Sequence, residues 1–373
     1  MNKAVIGGGF GDEAKGVVTD FLCSRSINPL VVRYSGGHQA GHTVVVDGVR
    51  HVFSSFGSGT LRGDSTYLSR FCTISPIAIK HEYQELVEKR IKPKLFIDMN
   101  CPVITPYDKY YNMKRDSRLQ HGTCGVGFGS TIEREESNYH FTASDLEYSS
   151  VTQIKLKMIQ NYYGADATQN IGVRMEQFHD AVKFLLSCTD IEIVDESILE
   201  AREFPNIIFE GSQGLLLDKD IGFFPHVTRS NTGTRNILEL CEKEPQCYIV
   251  TRAYQTRHGN GDMTNDNIPH NIKVNPLETN VTNDFQGNFR RSLLDLDLLR
   301  YAIEKDGNII EPILMITCLD HVQNEYRFTN NGIIVNCDSE YDFVKKIANI
   351  LNCKQVYIND SEESKTFKYR MIK

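Results

Sequence analysis

Several features that define particular protein classes are scarce or missing in this chain of 373 residues. There is no tryptophan, and no apolar stretch approaches the roughly 20 residues that a helix needs to span a bilayer. Ten cysteines are scattered without a C-x-x-C pair, so neither a zinc site nor a dithiol redox site is indicated, and we expect reduced thiols. Glycines interrupt the first residues, where a signal peptide would be apolar, and we therefore expect a cytoplasmic protein.

The charge and the composition exclude further classes. Lysine and arginine number 41 against 48 acidic residues, and the net charge of −7 offers no positive field for nucleic acid or an anionic membrane. Apolar residues make up 40% and charged residues 24%, which is typical of a globular protein rather than a disordered one. The sequence therefore predicts a compact protein whose partners are small molecules.

Short apolar runs alternate with helical patterns along the chain, which is typical of an α/β fold. Unalternating runs at residues 207–209, 248–250 and 313–316 predict strands buried on both faces of a parallel sheet. No repeat, low-complexity tract or linker divides the chain, so we expect residues 1–373 to form one large domain with a mostly parallel central sheet flanked by helices. Two polar stretches without periodicity, residues 120–139 and 259–291, are predicted to be long functional loops.

Further elements are predicted from periodicity and turn chemistry. Asp47 and Gly48 favour the type I′ turn of a β-hairpin. The predicted helices are residues 14–23, 77–90, 175–187 and 341–351. Besides the three buried runs, the predicted strands are residues 4–6, 30–32, 44–46, 49–53, 95–97 and 355–358.

A glycine-rich loop separates the first predicted strand from the first predicted helix. Residues 7–16 read G-G-G-F-G-D-E-A-K-G, and glycines there allow backbone N–H groups at a helix N-terminus to approach phosphate oxygens. Residues 9–14 also fit the G-x-G-x-x-A form of the dinucleotide fingerprint, whereas the standard P-loop pattern fails because Gly16 follows Lys15. We interpret the segment as a shortened phosphate loop.

The charges of this loop disfavour a nicotinamide cofactor and favour a divalent cation. Asp12 and Glu13 would repel a pyrophosphate, and Arg33 and Tyr34 stand where a ribose-binding acid is expected. A carboxylate beside phosphates suits Mg²⁺, which takes one or two carboxylates with phosphate oxygens, while Lys15 can neutralise the phosphates directly. The alternative is a plain glycine turn whose charged residues are solvated.

A second glycine-rich segment follows the second predicted strand. Residues 31–43 read V-V-R-Y-S-G-G-H-Q-A-G-H-T and place two histidines beside the phosphate loop if the two strands are neighbours. His38 is expected to be structural. His42, flanked by Gly41 and Thr43, is better placed to act as an acid near phosphate.

Taken together, these segments resemble the adenylosuccinate synthetase family. The family's G-D-E-G-K-G loop is similar to residues 11–16, and its V-V-R-Y-x-G-G-H-N-A-G-H-T segment is similar to residues 31–43, with Gln39 in place of Asn. Four further blocks resemble F-E-G-A-Q-G-x-L-L-D, P-Y-V-T-S-S-N-T, Y-x-T-R-V-G-x-G and T-K-L-D, at residues 209–218, 225–232, 254–261 and 317–320. Several long motifs in family order are more specific than any single glycine loop.

The resemblance implies a P-loop-like, GTP-dependent ligase that joins L-aspartate to C6 of IMP through a 6-phosphoryl intermediate. It implies that Asp12 is the general base for the purine N1 proton, that His42 is the acid at the transferring phosphoryl group, and that Lys15 neutralises charge. It also implies Mg²⁺ held by Asp12 and the carbonyl of Gly41, and a homodimer. Asp320 would accept hydrogen bonds from the guanine edge, so GTP is the expected donor.

The same resemblance implies three sets of binding residues. For GTP they are Gly11, Asp12, Glu13, Ala14, Lys15, Gly16, Gly41, His42, Thr43, Arg290 and Asp320. For the purine nucleotide they are Gln39, Ala40, Thr123, Cys124, Gln213, Leu217 and Thr228. For aspartate they are Gly287, Asn288, Arg290 and Arg291.

The chain departs from the family pattern at four places. Cys124 stands where the family has a hydroxyl, and Asn288 stands where the family has the first arginine of T-G-R-x-R-R. Cys318 replaces the lysine of T-K-L-D. The arginine that the family contributes from a partner subunit has no aligned counterpart, and Arg134 is the nearby candidate.

These departures leave alternatives open. A viral branch of the family aminates dGMP to make the precursor of 2-aminoadenine, and loss of a ribose contact at Asn288 is compatible with a 2′-deoxy sugar; Asp12 favours IMP, because members of that branch carry Ser there. From another class, a nucleotide-binding relative without catalysis is favoured by the missing Arg and Lys and opposed by the joint presence of Asp12, Lys15 and His42.

Overall fold

The computed structural model describes residues 2–119, 125–164, 171–278, 288–323 and 325–372, with the side chains of residues 116–119 excepted. The helices of these ranges are α1 Lys15–Cys23, α2 Pro76–Glu88, α3 Pro106–Leu119, α4 Phe128–Glu136, α5 Ser149–Tyr163, α6 Gly172–Ser187, α7 Arg235–Leu240, α8 Leu296–Asp306 and α9 Glu340–Ile350. The strands are β1 Lys3–Gly7, β2 Pro29–Arg33, β3 His42–Val46, β4 Val49–Phe53, β5 Ser65–Leu68, β6 Leu95–Asp98, β7 Ile191–Val194, β8 Asn206–Gly214, β9 Gln246–Arg252, β10 Tyr254–His258, β11 Phe289–Asp295, β12 Ile313–Thr317, β13 Arg327–Asn330, β14 Ile333–Asn336, β15 Gln355–Ile358 and β16 Lys368–Met371.

A central sheet of ten described strands runs through the molecule in the order β16-β15-β12-β9-β1-β8-β2-β5-β6-β7. Every neighbouring pair in it is parallel except β15 with β16. A second described sheet has the order β10-β11-β13-β14, and β3 pairs with β4 as a separate hairpin. The predicted α/β fold with a mostly parallel sheet is confirmed.

The apolar runs form strands because both of their faces are covered. Ala4 and Ile6 of β1 pack in one hydrophobic cluster, whereas Val5 between them packs in another on the opposite face. Successive side chains of a strand point to opposite faces, so an unalternating apolar run suits a sheet with helices on both sides. Val18 and Phe21 of α1 cover the Val5 face.

The predicted hairpin is also confirmed. Asp47 and Gly48 both have positive φ, 49° and 79°, and they join β3 to β4 in antiparallel register. The predicted helices over residues 14–23, 77–90, 175–187 and 341–351 correspond to α1, α2, α6 and α9, with ends that differ by a few residues.

The prediction that residues 120–139 form a loop is wrong, because α4 lies within them. Its buried face includes Thr131 and Arg134 rather than aliphatic side chains, so apolar periodicity gave no indication of a helix. The second polar stretch, residues 259–291, leads into β11. The second sheet was not predicted, since β10 and β11 are rich in polar residues. Among the helices of the described ranges, none has the combined length and apolar character that crossing a membrane requires.

Candidate active site

The carboxyl ends of the central strands β1, β8, β9 and β12 open into a cavity of about 770 Å³. This is the edge at which ligands bind in open parallel sheets. Most of the residues singled out from the sequence line this one cavity: Gly11, Asp12, Ala14, Lys15, Gly16, Gln39, Ala40, Gly41, His42, Thr43, Gln213, Leu217, Thr228 and Asp320. Thr123, Cys124 and Gly287 lie outside the described residues.

The loop between β1 and α1, residues 8–14, is held in an unusual backbone conformation by one buried carboxylate. Asp12 and Ala14 have φ of 64° and 67°, in the left-handed region that costs a non-glycine residue free energy. The Glu13 carboxylate accepts hydrogen bonds from the backbone N–H groups of Gly9 and Gly11, at 3.1 and 2.8 Å. Glu13 therefore stabilises the loop through these hydrogen bonds. Its side chain does not line the cavity, in contrast to its predicted contact with GTP.

Lys15 begins α1 and lies between Glu13 and the cavity. Its Nζ donates to Glu13 Oε2 at 2.6 Å, and both side chains are buried. Burial alone would raise the pKa of Glu13, but the Lys15 ammonium and the loop N–H groups lower it overall. Lys15 is thus fixed at a helix N-terminus, where positive charge and free N–H groups favour an anion.

Gly16 follows Lys15 because the second loop crosses α1 closely here. A Cβ at Gly16 would lie 2.9 Å from the Cβ of His42 and 3.1 Å from the Oγ of Ser58. The absence of a side chain at Gly16 therefore allows His42 to lie beside the phosphate loop.

The Asp12 carboxylate faces the cavity without a donor from the described residues, while its backbone carbonyl accepts a 2.5 Å hydrogen bond from Arg252 Nε. Burial raises the pKa of Asp12, and the charge of Arg252 opposes that rise. Within the described ranges no group of three His, Cys, Asp or Glu side chains could hold a metal ion. One unpaired carboxylate together with the nearby Gly41 backbone suits Mg²⁺ bound mainly through phosphate oxygens.

His42 is oriented by a carboxylate that the sequence analysis did not single out. Its Nδ1 lies 2.7 Å from Oε1 of Glu210, which is fully buried on β8. Glu210 also accepts hydrogen bonds from the backbone N–H and the hydroxyl of Ser58. The Nε2 of His42 is buried without a partner in the described part of the chain, and it is the ring nitrogen left for a ligand.

The charges of this pair are set by burial and by each other. Burial alone would raise the pKa of Glu210, yet His42 and Arg33 bring it down to about 2. Burial lowers the pKa of His42, and Glu210 opposes that change. Glu210 is therefore ionised and able to stabilise a proton on His42. The sequence contained an indication, because a glutamate directly after the buried run 207–209 is expected to need a partner.

The wall predicted to bind the purine nucleotide contains buried polar atoms without partners. Both amide atoms of Gln39 and the Oε1 of Gln213 have no hydrogen-bond partner among the described residues. Buried polar groups in native proteins are nearly always bonded, so these atoms point to a polar ligand. Thr228 and Leu217 lie in the same wall, where the Thr228 N–H donates to the Leu217 carbonyl at 2.7 Å.

The arginines predicted to bind aspartate donate hydrogen bonds to other groups of the protein. Arg290 donates to the carbonyl of Gly259 and to Asp266, both at 2.9 Å, and Arg291 donates to the Lys273 carbonyl at 3.1 Å. Neither of them lines the cavity, nor does Asn288.

Arg257, which the sequence analysis left unassigned, does line the cavity. Its guanidinium lies 4.1 Å from the centre of the Phe10 ring, and its Nε has no partner among the described residues. Burial first and Arg290 second lower the pKa of Arg257 to about 10.

Arg229 and Arg115 are among the further basic side chains that line the cavity. Arg229 bonds Glu136 at 3.1 Å and lies 3.3 Å from Glu133, which also pairs with Arg115. Arg229 follows Thr228 directly in the chain, which brings positive charge to the predicted purine-nucleotide wall.

Arg134 is wrong as the candidate for an arginine contributed to a partner subunit. Its side chain is fully buried, donates to Asp108 at 2.8 Å and to the Val103 carbonyl at 2.9 Å, and pairs with Glu135. Because α4 is mostly polar, the sequence pattern did not indicate that Arg134 faces inward.

His38 lies away from the cavity, in line with the structural role expected for it. It borders a separate polar space of about 10 Å³ that Arg33 and Thr73 also line. Burial lowers the pKa of His38 to about 4, and the charge of Lys109 adds to the effect. His38 is therefore neutral at physiological pH.

Comparison with known proteins gives consistent results. The family model described as adenylosuccinate synthetase matches residues 4–359. The adenylosuccinate synthetase of Buchnera aphidicola subsp. Schizaphis graminum is 33% identical over 323 residues, which cover 81% of this chain and 74% of the relative.

Two solved structures share the fold at low sequence identity. The fully ligated adenylosuccinate synthetase of Plasmodium falciparum superposes with a TM-score of 0.73 at 16% identity, covering 98% of both chains. The succinoaminodeoxyadenylate synthetase PurZ of cyanophage S-2L, bound to dGMP and to dATP as an energy donor, superposes with a TM-score of 0.66 at 14% identity, covering 99% of this chain and 95% of that one.

Proposed function

This chain belongs to the adenylosuccinate synthetase family, and from that membership we propose how its cavity performs the reaction. It is a ligase of the family's type, which joins L-aspartate to C6 of a 6-oxopurine nucleotide with GTP as the phosphoryl donor. We propose IMP as the acceptor and Asp12, Lys15 and His42 as the catalytic residues. The observation that carries this assignment is that all three line one cavity, with the unpartnered Nε2 of His42 among them.

In the first step, the purine O6 attacks the γ-phosphorus of GTP. Asp12 takes the N1 proton, the new O6–P bond forms, and the bond from the γ-phosphorus to the β-phosphate oxygen breaks to release GDP. The Asp12 carboxylate faces the cavity and accepts no hydrogen bond from the described residues, which leaves it available to take this proton. Lys15 and protonated His42, whose charge is supported by Glu210, stabilise the negative charge of the transferring group.

In the second step, the neutral amine of aspartate attacks C6, the C6–O6 bond breaks and phosphate leaves, and the proton that the amine nitrogen loses passes to the departing phosphate. Arg257 is the cation of the cavity that we propose for an aspartate carboxylate, because its Nε is buried without a partner in the described residues. The sequence-based assignment of Gly287, Asn288, Arg290 and Arg291 to aspartate stays a prediction. Reaching the cavity would require Arg290 to exchange its carbonyl partners for the substrate.

We propose that Asp12 and the Gly41 carbonyl hold Mg²⁺ together with phosphate oxygens of GTP, where the ion would neutralise phosphate charge. Asp320 is proposed to accept hydrogen bonds from the guanine N1–H and 2-amino group. Adenine presents an N1 acceptor there, which a carboxylate disfavours. We also propose that the protein is cytoplasmic and that it forms a homodimer. Sedimentation analysis of the purified chain tests the homodimer.

A second acceptor, dGMP, is supported by the likeness to the PurZ structure, which is described as bound to dGMP. The chain's Asn288 in place of the family's arginine is compatible with a deoxyribose, whereas its Asp12 supports IMP. Members of the family's viral branch carry Ser in place of Asp12.

The decisive experiment incubates the protein with GTP, Mg²⁺ and L-aspartate together with either IMP or dGMP. GDP release and the C6-substituted product with IMP support the proposed function. If product forms with dGMP and not with IMP, the acceptor is dGMP. Binding of nucleotides without GDP release from either mixture would identify a relative that has lost catalysis. Omission of aspartate is the control for hydrolysis of GTP alone.

A further inference from the structure

We propose that His321 is a positioning residue that orients the Asp320 carboxylate toward the donor base, through a hydrogen-bonded chain that starts at Arg252 and passes through Tyr254. The inference deepens the proposed function, in which Asp320 reads guanine, and it names the residue that sets selectivity for that base. The side chain of Cys318, two residues before Asp320, has no N–H group to perform this task.

This series of hydrogen bonds begins at a buried arginine, each of whose three side-chain nitrogens donates a hydrogen bond. The Arg252 side chain is 8% exposed, and its Nε donates to the Asp12 carbonyl at 2.5 Å. Both terminal nitrogens donate to Glu278 Oε2 at 3.1 Å, and one of them also donates to the Tyr254 hydroxyl at 2.8 Å. Because a guanidinium has no acceptor, the Tyr254 oxygen must be the acceptor in that contact.

This direction fixes the proton position on the next ring. The Tyr254 hydroxyl lies 2.8 Å from the Nδ1 of His321, and its single hydrogen is free to donate there. With Nδ1 as the acceptor, the ring carries its proton on Nε2. The two rings stack with centroids 5.8 Å apart and an interplanar angle of 30°, so packing also fixes the plane of the imidazole.

The protonated nitrogen is directed to the base-reading carboxylate. His321 Nε2 lies 3.5 Å from Asp320 Oδ2, which is long for a hydrogen bond but closes with a small rotation of the carboxylate. The Asp320 side chain is 39% exposed whereas that of His321 is 11% exposed, so a buried donor lies behind a more exposed acceptor. A donor in this place takes one lone pair of Oδ2 and leaves lone pairs on both oxygens of Asp320 for the two guanine donors, which reduces the ordering cost of binding.

The first test compares two substitutions of the same histidine. His321→Phe keeps a ring against Tyr254 but removes the donor, and we expect the KM for GTP to rise about tenfold with kcat nearly unchanged. His321→Gln keeps an N–H group near the place of Nε2, and we expect it to restore most of the wild-type KM. The KM for IMP is the internal control and should stay constant in both variants.

The second test asks whether His321 acts through Asp320. In an Asp320→Asn background, His321→Phe should raise the KM for GTP by less than twofold, because the carboxylate that it orients is already gone. Tyr254→Phe should raise the KM in the same direction as His321→Phe by a smaller factor. The ratio of kcat/KM for GTP to that for ATP should fall in each single variant.

Three outcomes would overturn the inference. They are an unchanged KM for GTP in folded His321→Phe, full additivity with Asp320→Asn, and failure of His321→Gln to restore GTP binding. Near-ultraviolet circular dichroism of each variant establishes that it is folded. If the wild-type protein makes no product with either acceptor, the proposed function itself fails, and direct binding of GTP against ATP by calorimetry still tests the role of His321.

Discussion

Two walls of the cavity are built differently. The catalytic wall is lined by Asp12, Lys15 and His42, with Glu210 behind His42. It keeps nearly all the letters of the family motifs, and its buried ion pairs are short and direct. The base wall is lined by Arg252, His321, Asp320 and Cys318, with Tyr254 behind them. It departs from the motif and reaches Asp320 through two hydrogen bonds and a longer contact of 3.5 Å. Groups that take part in bond making tolerate little displacement, whereas a carboxylate that recognises a base edge can be supported in more than one way.

The comparison predicts that substitutions in the catalytic wall lower kcat, while substitutions in the base wall raise the KM for GTP. The largest effect is expected for Asp12→Asn. Loss of a general base typically costs between 10² and 10⁴ in rate, and the amide is also a poor ligand for Mg²⁺, so we expect kcat to fall about 10³-fold or more. Steady-state assays with saturating GTP, IMP and aspartate measure this change.

Asp47→Asn is the matched control for that substitution. Asp47 lies exposed in the turn between β3 and β4 with φ of 49°, a conformation that Asn adopts readily. Near-normal turnover of Asp12→Asn would remove Asp12 from the chemistry and with it the distinction between the two walls.

The next largest effect is expected for Glu210→Gln. A neutral amide at Glu210 can still bond Nδ1 of His42 but no longer stabilises a positive charge on the ring, so we expect kcat to fall about 10²-fold. The alkaline limb of the pH–rate profile, where His42 loses its proton, should also shift to lower pH, because removal of the Glu210 charge lowers the pKa of His42. The KM for GTP should change less than kcat.

Glu82→Gln is the control for removing a buried glutamate. Glu82 is also buried beside a histidine, with Oε1 3.7 Å from His51 Nε2, but it lies outside the cavity and binds backbone N–H groups of residues 54–56. We expect this variant to lose stability while its pH–rate profile stays in place. A similar shift of the profile in both variants would contradict the role of Glu210.

The next prediction concerns His38, whose separation from the cavity indicates a structural role. Its folded-state pKa of about 4 lies below the ordinary value of 6.5, so the unfolded chain binds the proton more tightly between these values. Stability should therefore fall as the pH is lowered from 6.5 towards 4, and His38 should contribute about 3 kcal/mol to that loss. Urea unfolding at pH 7.5 and pH 5 should show a smaller difference for His38→Gln than for the wild type.

His81→Gln is the control for the unfolding measurements, because the His81 side chain is 76% exposed on α2. Its pH dependence should equal that of the wild type. If His38→Gln retains the full pH dependence, the buried neutral state of His38 is contradicted.

The smallest effect is expected for Asp320→Asn. An amide at this position replaces one acceptor by a donor at the guanine edge, and we expect the KM for GTP to rise about tenfold with kcat within a factor of about three. The KM for IMP measures whether the change is confined to the donor site. An unchanged requirement for GTP and an unchanged KM would remove Asp320 from the base site.

The parts of the fold that could be predicted are those in which one segment carries its own pattern. The apolar runs of β1, β8, β9 and β12 and the Asp47-Gly48 turn were sufficient to predict a parallel sheet and a hairpin. Helix α4 was missed, because its inner face carries Arg134 and Thr131 and has no apolar period. The second sheet was missed for a related reason, since strands of mixed polarity such as β10 gain their stability from partners distant in the chain.

The site divides in the same way. The sequence by itself determined the motifs, and with them the family and the choice of Asp12, Lys15, His42 and Asp320 as candidate site residues, because glycines and charged residues at fixed spacing constrain local backbone and chemistry. Only the tertiary structure decided that Glu13 turns beneath its loop, that Glu210 orients His42, that Arg257 rather than Arg290 lines the cavity, and that His321 stands behind Asp320. These facts depend on contacts between residues far apart in the chain, whose burial and charge are fixed only when the strands are packed side by side.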